Sequence, residues 1–482
     1  MGNILQDLDK NKHRRTLGVH LTSRDIFLKY IFPEIKDKLW EYTWIDLYAG
    51  EGNLILPILN SILIEKRIQF FMEHIFLFDI QPEMIQKCIN NAEKYGIPPK
   101  IAIKNIQLRD NLETFPKFLI NTQFPLYHIT NPPYLYLGYI RKHNETQKYL
   151  EFFKGKNEGY QDLYQIAMIN DLRNGIKKLI YIIPSNFLYG ASVSNKFRKD
   201  FLKYYNISKM IIFETKIFEF TGTNICIGFF SRKEVPKTEY IAFEGVKIKK
   251  SNRTIEKRYV LKPEFKYRAG SEFEEFLKEY YAQKPLKVNY YLLKADVLKN
   301  EGYNEIKVID ANNYQNNEYK KLNLHINDKF KKKVKSNILY VRTVDTGSYD
   351  GRVGLGIINE DFKVDGIYVS GNTYRTHPIQ IFLEPIITQQ DQILLKNYLN
   401  FVLERFREKL DSEFLTTYKY SNADYTRKYL GLTQVRSLIE TLPIINMDSE
   451  SKIILNDLVT NEKFDEILLL LKKFKKKEDD YS

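Results

Sequence analysis

Apolar residues in the first half of the chain follow two alternating patterns. Short continuous apolar runs, which predict buried strands, are separated by longer segments with apolar residues every three or four positions, which predict helices. The runs are 44–47, 75–78, 101–106, 126–129, 179–183, 207–213 and 224–230, and the helical segments include 25–39, 54–66 and 163–172. This alternation predicts a mostly parallel sheet with helices on both faces.

Polar residues recur where these predicted strands end. Asp46 closes the first run, Asp79 the second and Asn131 the fourth, and Asp110 follows the third. In open α/β sheets, ligands bind at the carboxyl edge of the strands. The pattern therefore predicts a ligand site built from these four side chains.

The pattern changes beyond residue 250. Short strand-like pieces rich in Tyr and Lys dominate there, with a Gly-Ser turn at 347–351, and long helical segments return at 392–409 and 452–472. The strongly charged stretch 247–258 separates the two sequence patterns. We therefore predict two domains, 1–250 and 251–482.

The charge balance favours a polyanionic partner. The chain has 74 Lys and Arg against 60 Asp and Glu, a net charge of +14. Basic side chains that neutralise phosphates release counterions, which drives binding to nucleic acid. A solvated surface in a lysine-rich organism is the alternative explanation.

The cysteines and the N-terminus narrow the class of protein further. Cys88 and Cys226 lie far apart without a CxxC pattern, which argues against a cysteine-based metal site or a disulfide framework. The first 15 residues are polar and charged, unlike a signal peptide, and apolar runs stay short of a membrane span. We expect a cytoplasmic protein with no metal.

The segment Asp46-Leu47-Tyr48-Ala49-Gly50-Glu51-Gly52 joins a predicted strand to a helical region. Its glycines allow a sharp turn and a close approach to a ligand. The dinucleotide fingerprint is incomplete, because Ile55 stands where its third glycine would fall. The Asp46 carboxylate would repel a pyrophosphate, whereas it suits the positive charges of S-adenosylmethionine.

Asp79 and Asp110 each have two interpretations. At a strand end, the Asp79 carboxylate can accept both hydroxyls of a ribose, although it can instead cap the helix that begins near Pro82. Asp110 can accept a hydrogen bond from the amino group of the cofactor's adenine, or it can close a turn.

Asn131-Pro132-Pro133-Tyr134 is the most specific pattern in the chain. An exocyclic amino group is a poor nucleophile because its lone pair is delocalised into the ring. The Asn131 side-chain oxygen and the Pro132 carbonyl can hold its two hydrogens and free that lone pair, and proline offers no competing N–H. Tyr134 offers a flat face on which an extruded base can stack. The alternative is an ordinary Asn-Pro-Pro turn after a strand.

In these motifs and their order, the chain resembles the gamma-class N6-adenine DNA methyltransferases of restriction-modification systems. The segment 18–23 looks like the family's leading cofactor motif, with Ser23 where a proline is usual, and implies that Thr22 contacts the methionine part of the cofactor. Asp46, Tyr48 and Gly50 align with cofactor-contacting positions. The segment 183–188 matches a further family motif.

The segment 217–223 resembles the part of the family that supplies a second aromatic side chain beside the flipped adenine. Phe218 is our choice for that role and Phe220 the reserve, although a core position suits either one almost as well. The resemblance covers residues 14–232.

The resemblance implies a complete architecture and set of partners. We expect a Rossmann-like class I methyltransferase domain with a mixed seven-stranded sheet, followed by a C-terminal α+β target recognition domain. The cofactor would be S-adenosylmethionine and the substrate double-stranded DNA. A separately encoded restriction endonuclease would be a further partner, and the enzyme itself would be a monomer.

Several alternatives stay open at this point. The basic and aromatic segments 329–333, 340–343 and 374–377 suit phosphate contact and base reading, and 418–436 is loosely similar to the end of recognition domains. RNA adenine N6 is a rival target, and cytosine N4 another. A protein glutamine amide is disfavoured by the long basic extension. A non-catalytic DNA-specificity subunit would not need the intact acidic residues, and no fused nuclease motif is recognisable.

Overall fold

The computed structural model describes residues 22–215, 217–218, 224–249, 253–345, 351–373, 376–420 and 426–476. The chain divides into two compact units. The first ends at Ala269 and also takes in Lys419–Thr426, and the second runs from Gly270 to Tyr418 and resumes at Arg427.

The first unit is built on a nine-stranded mixed sheet with the order β3-β2-β1-β4-β5-β7-β6-β8-β9. The five strands β3, β2, β1, β4 and β5 are parallel, whereas β7 is antiparallel to both of its neighbours. The strands are β1 Thr43–Asp46, β2 Ile75–Asp79, β3 Ile106–Leu108, β4 Leu126–Thr130, β5 Lys178–Pro184, β6 Tyr205–Phe213, β7 Ile225–Arg232, β8 Ile241–Ile248 and β9 Thr254–Leu261. The predicted Rossmann-like α/β class is confirmed, but the sheet has nine strands instead of seven.

The two extra strands explain where the first unit ends. β8 pairs in parallel with β6, and β9 pairs in antiparallel with β8 along its whole length. Every second residue of β8 is buried, as in an ordinary strand with one face against a core, and the buried positions include Lys247. The charged stretch 247–258 is therefore mostly sheet, and the unit continues past residue 250 to Ala269.

Helical segments cover the sheet. Those of seven residues or more in the first unit are Arg67–His74, Pro82–Lys94, Pro99–Asn105, Leu163–Arg173 and Asn195–Leu202, with a ten-residue 3₁₀ segment at Asn144–Phe153. Consecutive helical turns occupy 24–41, with a widened π turn at Phe27–Ile31 immediately before Pro33, which lacks the N–H of a regular turn.

Two predicted elements were wrong. The run 101–106 is the helix Pro99–Asn105 followed by the short strand β3, because Pro98 and Pro99 start a helix and the Asn105 side chain caps carbonyls of a neighbouring segment. The predicted helix 54–66 consists of two 3₁₀ turns, Leu56–Ser61 and Ile64–Lys66.

The second unit combines antiparallel and mixed sheets with helices, as the α+β expectation requires. Its sheets have the orders β10-β18-β14-β16, β11-β17-β12-β13 and β15-β20-β19. The strands are β10 Lys287–Tyr290, β11 Leu292–Leu293, β12 Glu301–Gln315, β13 Glu318–Ile326, β14 Leu339–Arg342, β15 Val344–Asp345, β16 Gly354–Ile357, β17 Gly366–Val369, β18 Ile379–Glu384, β19 Thr416–Tyr420 and β20 Thr426–Tyr429.

The helices of the second unit are Ser271–Glu279, Lys294–Lys299, Asp328–Ser336, Ile358–Phe362, Gln389–Leu410, Leu432–Ile439, Ser449–Thr460 and Phe464–Lys472. The predicted helix 392–409 is confirmed, whereas 452–472 is two helices separated near Asn461. Most of the predicted turn 347–351 lies outside the described residues. Among the helices that the structure describes, none is long and apolar enough to cross a membrane.

Candidate active site

A cleft opens at the carboxyl edge of β1, β2 and β4. All six residues predicted to bind the cofactor line it, namely Thr22, Asp46, Tyr48, Gly50, Asp79 and Asp110. Asn131 and Pro133 line it as well. The residues that the sequence groups at strand ends are thus brought together in one cavity, as the parallel topology requires.

Asp46 ends β1 and is almost completely buried. Its Oδ1 accepts hydrogen bonds from the Thr130 hydroxyl at 2.6 Å and from the Tyr48 N–H at 2.9 Å. Burial raises the pKa of Asp46 to about 6, although its hydrogen bonds oppose that shift. The carboxylate is therefore held rigidly against the cleft and is ionised at neutral pH.

Leu47, the next residue, has both of its backbone groups held by side chains. Its N–H donates to Nε2 of His128 at 3.1 Å, and its carbonyl accepts from Nδ2 of Asn111 at 2.8 Å. Because Nε2 accepts, the ring proton of His128 is on Nδ1, where it is donated to Asp171 at 2.6 Å. Tyr181 also donates to Asp171, and this buried network fixes the start of the glycine loop.

The glycine loop is tied to the end of β2. The N–H of Gly50 donates to Oδ2 of Asp79 at 2.9 Å. Gly50 and Gly52 have φ values of 52° and 80°, a region that residues with a Cβ rarely adopt. A Cβ on Gly52 would lie 2.6 Å from Leu56 Cδ1 and 2.8 Å from Cys88 Sγ. The loop therefore requires glycine for its backbone and for its close packing.

Asp79 and Asp110 combine a local role with a place on the cleft. Oδ1 of Asp79 accepts from the Gln81 N–H at 2.8 Å, and burial raises the pKa of this carboxyl. Gln81 itself is the N-cap position of the helix Pro82–Lys94, so Asp79 is not that cap. Oδ1 of Asp110 accepts from the Leu112 N–H at 3.0 Å. This hydrogen bond closes a turn, which is the second of the two roles predicted for Asp110.

The charges on the cleft limit what it can bind. Among the described residues, four acidic ones line it, Asp46, Glu51, Asp79 and Asp110, against one basic residue, Arg109. Such a wall attracts a cation and repels a polyphosphate. Its apolar lining includes Leu54, Ile80, Leu112, Tyr149 and Leu163, which suits a flat heteroaromatic ring.

Asn131 directly follows β4 and connects two parts of the site. Its Nδ2 lies 2.9 Å from the Thr22 hydroxyl, and its Oδ1 accepts from the hydroxyl of Tyr134. The same hydroxyl lies 2.6 Å from the carbonyl oxygen of Ile182. Burial raises the pKa of Tyr134 well above its usual value, so the phenol stays neutral.

Asp162 anchors the chain just beyond Tyr134. It is buried at the start of the helix Leu163–Arg173 and its Oδ1 accepts from the Leu135 N–H at 3.0 Å. The Leu163 N–H in turn donates to the Leu135 carbonyl at 3.3 Å. Burial raises the pKa of Asp162 to about 7. The Asn-Pro-Pro-Tyr loop is thus fixed at both ends.

Three predicted residues do not line the cleft. Pro132 is buried, Tyr134 is half-buried and packs against the core, and Phe218 is only 6% exposed within an apolar cluster. Their predicted contacts with a target base stay predictions. Phe220 and 18–21 lie outside the described residues.

Several residues that were not predicted from the sequence also line the cleft, among them Asn53, Ile80, Asn111 and Tyr149. Three of them lie within a few positions of a predicted site residue, and proximity to Gly50, Asp79 and Asp110 was the available signal. Tyr149 comes from the segment Asn144–Phe153, and nothing in its local sequence indicates that it reaches the cleft.

Comparison with known proteins gives a match to a family model. Residues 19–218 match the model of the Eco57I restriction-modification methylase family. Among curated proteins, no sequence matches the chain.

Three solved structures show partial similarity. The type I restriction enzyme EcoKI M protein is 13% identical with a TM-score of 0.37, over 66% of this chain and 65% of that one. A type I restriction-modification methyltransferase subunit from Streptococcus thermophilus is 17% identical with a TM-score of 0.33, over 48% of each chain. A DrdV–DNA complex is 14% identical with a TM-score of 0.38, over 53% of this chain and 32% of that one.

The chain spans less than two thirds of each of these structures. Their TM-scores are low, and the fold assignment rests on the strand order described above. The match to the Eco57I restriction-modification methylase model, from residue 19 to residue 218, contains every residue of the predicted site.

Proposed function

We propose that the protein is an S-adenosylmethionine-dependent methyltransferase that modifies N6 of adenine in double-stranded DNA. The observation that carries the proposal is the position of Asn131, on the same cleft as Asp46, Asp79 and Asp110. This arrangement combines a hydrogen-bond acceptor for an amino group with an acidic site for a cationic nucleoside.

The residues of the cleft fit this cofactor. When bound, S-adenosylmethionine supplies an electrophilic methyl group with a good leaving group. The Asp46 carboxylate attracts the positive charge of the methionine part, and Asp79 accepts ribose hydroxyls beside the Gly50 N–H that it already binds. Asp110 accepts from the adenine amino group, and the apolar side chains around Leu112 pack against the ring.

Asn131 and Pro132 act on the target. Two acceptors, the Asn131 Oδ1 and the Pro132 carbonyl, hold the two hydrogens of an amino nitrogen and direct its lone pair into the cleft. Tyr134 and Phe218 are the aromatic residues that we assign to the flipped base. The loop is rigid enough for this task, because Thr22 holds Asn131 and Asp162 holds Leu135.

The choice of DNA rests on charge and on similarity. The match to the restriction-modification methylase family covers the residues of the site, and the net charge of +14 favours a polyanion. We assign target recognition to the second unit, whose helix Asp328–Ser336 contains five lysines. A separately encoded restriction endonuclease and a cytoplasmic location are part of the same proposal.

The decisive experiment is incubation of duplex DNA with methyl-labelled cofactor, followed by nucleoside analysis of the product. The proposal expects label in N6-methyladenine. Label in N4-methylcytosine would overturn the assigned base, exclusive labelling of RNA would overturn the assigned nucleic acid, and binding of DNA without label would favour a specificity subunit.

Substitution of Asn131 tests the mechanism in the same assay. Asn131→Ala should abolish label transfer while cofactor binding persists, because the residue acts on the target. Asn206→Ala, at an exposed asparagine of β6, is the matched control and should keep full activity. Undiminished activity of Asn131→Ala would refute the assigned role.

A further inference from the structure

We infer that Asn111 binds the ligand directly, through a buried carboxamide oxygen that accepts a hydrogen bond from a protonated nitrogen. The inference rests on the proposed function and adds a residue to its site. Asn111 directly follows Asp110 and lines the cleft.

The orientation of the Asn111 carboxamide follows from its partner. Nδ2 lies 2.8 Å from the carbonyl oxygen of Leu47, which can only accept. A flipped amide would bring two oxygens together, so the NH₂ group faces Leu47 and Oδ1 faces away from it. Leu47 itself is fixed on its other side by His128.

The oxygen is buried and lacks a partner. Asn111 is 2% exposed, and within the described part of the chain its Oδ1 has no hydrogen-bond partner. A carbonyl oxygen removed from water without a donor destabilises the folded protein. Such a group at the wall of a ligand cleft is satisfied when the ligand provides the donor.

The surroundings define the chemistry of that donor. The cleft wall around Asn111 contains Asp110, Asp46 and the buried hydroxyl of Tyr48, for which the described residues provide no hydrogen-bond partner. Acceptors therefore dominate this part of the cleft, and they suit an N–H donor with partial or full positive charge. Two sources have this chemistry, the nitrogens of the cofactor and the amino group of the target base.

Equilibrium binding to modified ligands separates these sources. Wild-type protein and Asn111→Ala are titrated with S-adenosylhomocysteine, with its 6-deaminated inosine analogue and with methylthioadenosine, which lacks the amino acid. If Asn111 contacts the adenine amino group, Asn111→Ala should weaken the binding of S-adenosylhomocysteine about tenfold and the binding of the inosine analogue hardly at all. If Asn111 instead contacts the ammonium group of the amino acid, Asn111→Ala should weaken the binding of S-adenosylhomocysteine but leave the binding of methylthioadenosine unchanged.

A contact to the target base gives a third pattern that also supports the inference. All cofactor-like ligands then bind the variant normally, and the variant loses the preference for a duplex with adenine over one with purine at the target position. Two results overturn the inference and leave Asn111 only as a tether for Leu47. One is equal weakening of all cofactor-like ligands, and the other is unchanged binding of these ligands together with an unchanged preference for the adenine duplex.

Two further variants control for folding. Asn105→Ala removes another buried asparagine that donates to carbonyls, outside the cleft, and should lower stability without changing ligand selectivity. Asn111→Asp keeps an acceptor oxygen and should bind the sensitive ligand more tightly than Asn111→Ala. Failure of the wild-type protein to bind any of the cofactor-like ligands would refute the proposed function itself, a result distinct from failure of the Asn111 assignment alone.

Discussion

The hydroxyl of Tyr134 donates a hydrogen bond to the side-chain oxygen of Asn131, the oxygen that we assign to the target amino group. The carbonyl oxygen of Ile182 lies 2.6 Å from the same hydroxyl. A phenol has one proton, so it satisfies one of these two acceptors at a time. A target amino group can therefore take its place on Asn131 when the hydroxyl turns to Ile182.

Tyr134→Phe should keep methyl transfer within about fivefold of wild type, since one neutral hydrogen bond is removed and the ring is retained. Tyr134→Ala removes the ring and should reduce kcat far more than it weakens duplex binding. Steady-state kinetics and a fluorescent base analogue at the target position measure the two effects. A loss for Tyr134→Phe as large as that for Asn131→Ala would show that the hydroxyl is essential.

Cofactor affinity should fall as the pH drops below about 6. Burial raises the pKa of Asp46 to about 6, so the carboxylate that attracts the cationic ligand becomes neutral below that pH. Calorimetric titration between pH 5 and 7.5 should show a Kd that rises by up to about tenfold per unit on the acid side.

Asp46→Asn should bind weakly at every pH in this range and lose the dependence. The exposed residue Asp37 provides the control, and Asp37→Asn should follow the wild-type curve. A pH-independent Kd in the wild-type protein would contradict the assignment of Asp46.

The first unit should lose stability as the pH rises from about 4 to 7. Burial raises the pKa of Asp162 to about 7, whereas an unfolded aspartate titrates near 3.9. Between these values the folded state holds a proton that the unfolded state has released. The contribution of Asp162 to the free energy of unfolding is complete below its pKa in the unfolded state. It is lost as the pH rises through its pKa in the folded state, by at most about 1.4 kcal/mol per pH unit.

Asp162→Asn should therefore gain stability relative to wild type as the pH rises through this window. Both tryptophans, Trp40 and Trp44, are in the first unit, so their fluorescence during urea unfolding reports its free energy of unfolding. A constant difference between variant and wild type from pH 4.5 to 7.5 would rule out the titration of Asp162.

Lysines of the helix Asp328–Ser336 should contribute to DNA affinity without base specificity. Replacement of Lys329, Lys332 and Lys333 by Gln should weaken the binding of cognate and non-cognate duplexes alike. The slope of log K against log salt concentration should become less steep, by about 0.9 for each phosphate that the variant no longer neutralises. The exposed lysines Lys100, Lys104 and Lys117 of the first unit make the matched triple control. If the control variant weakens DNA binding as much as the helix variant does, the effect comes from the net charge of the protein and not from the helix Asp328–Ser336.

The α/β class and the grouping of the strand-end residues on one cleft could be predicted because both follow from local rules. A parallel strand ends where its apolar run ends, so the positions of Asp46, Asp79 and Asn131 on one edge could be inferred without coordinates. The helix 163–172 and the strands around it were placed for the same reason.

The remaining features depend on pairing between distant segments. The strands β8 and β9 look like a charged linker until they pair. The helix Pro99–Asn105 looks like a strand because Ile101, Ala102 and Ile103 form a short continuous apolar run. Likewise, the polar contacts of Asn111 and His128 with Leu47 span 64 and 81 positions, beyond the reach of any sequence window.

The two side-chain hydrogen bonds to the backbone of Leu47, from Asn111 and to His128, also determine when the glycine loop can form during synthesis of the chain. The loop after β1 reaches its final shape only when residues as late as His128 have joined the sheet, and Asp171 must follow to orient that ring. A nascent chain that ends before these residues leaves the ribosome therefore has the glycines but no formed binding loop. Cofactor capture then reports the pairing of β4 with β1, and a translation product truncated before His128 should fail to sequester the cofactor.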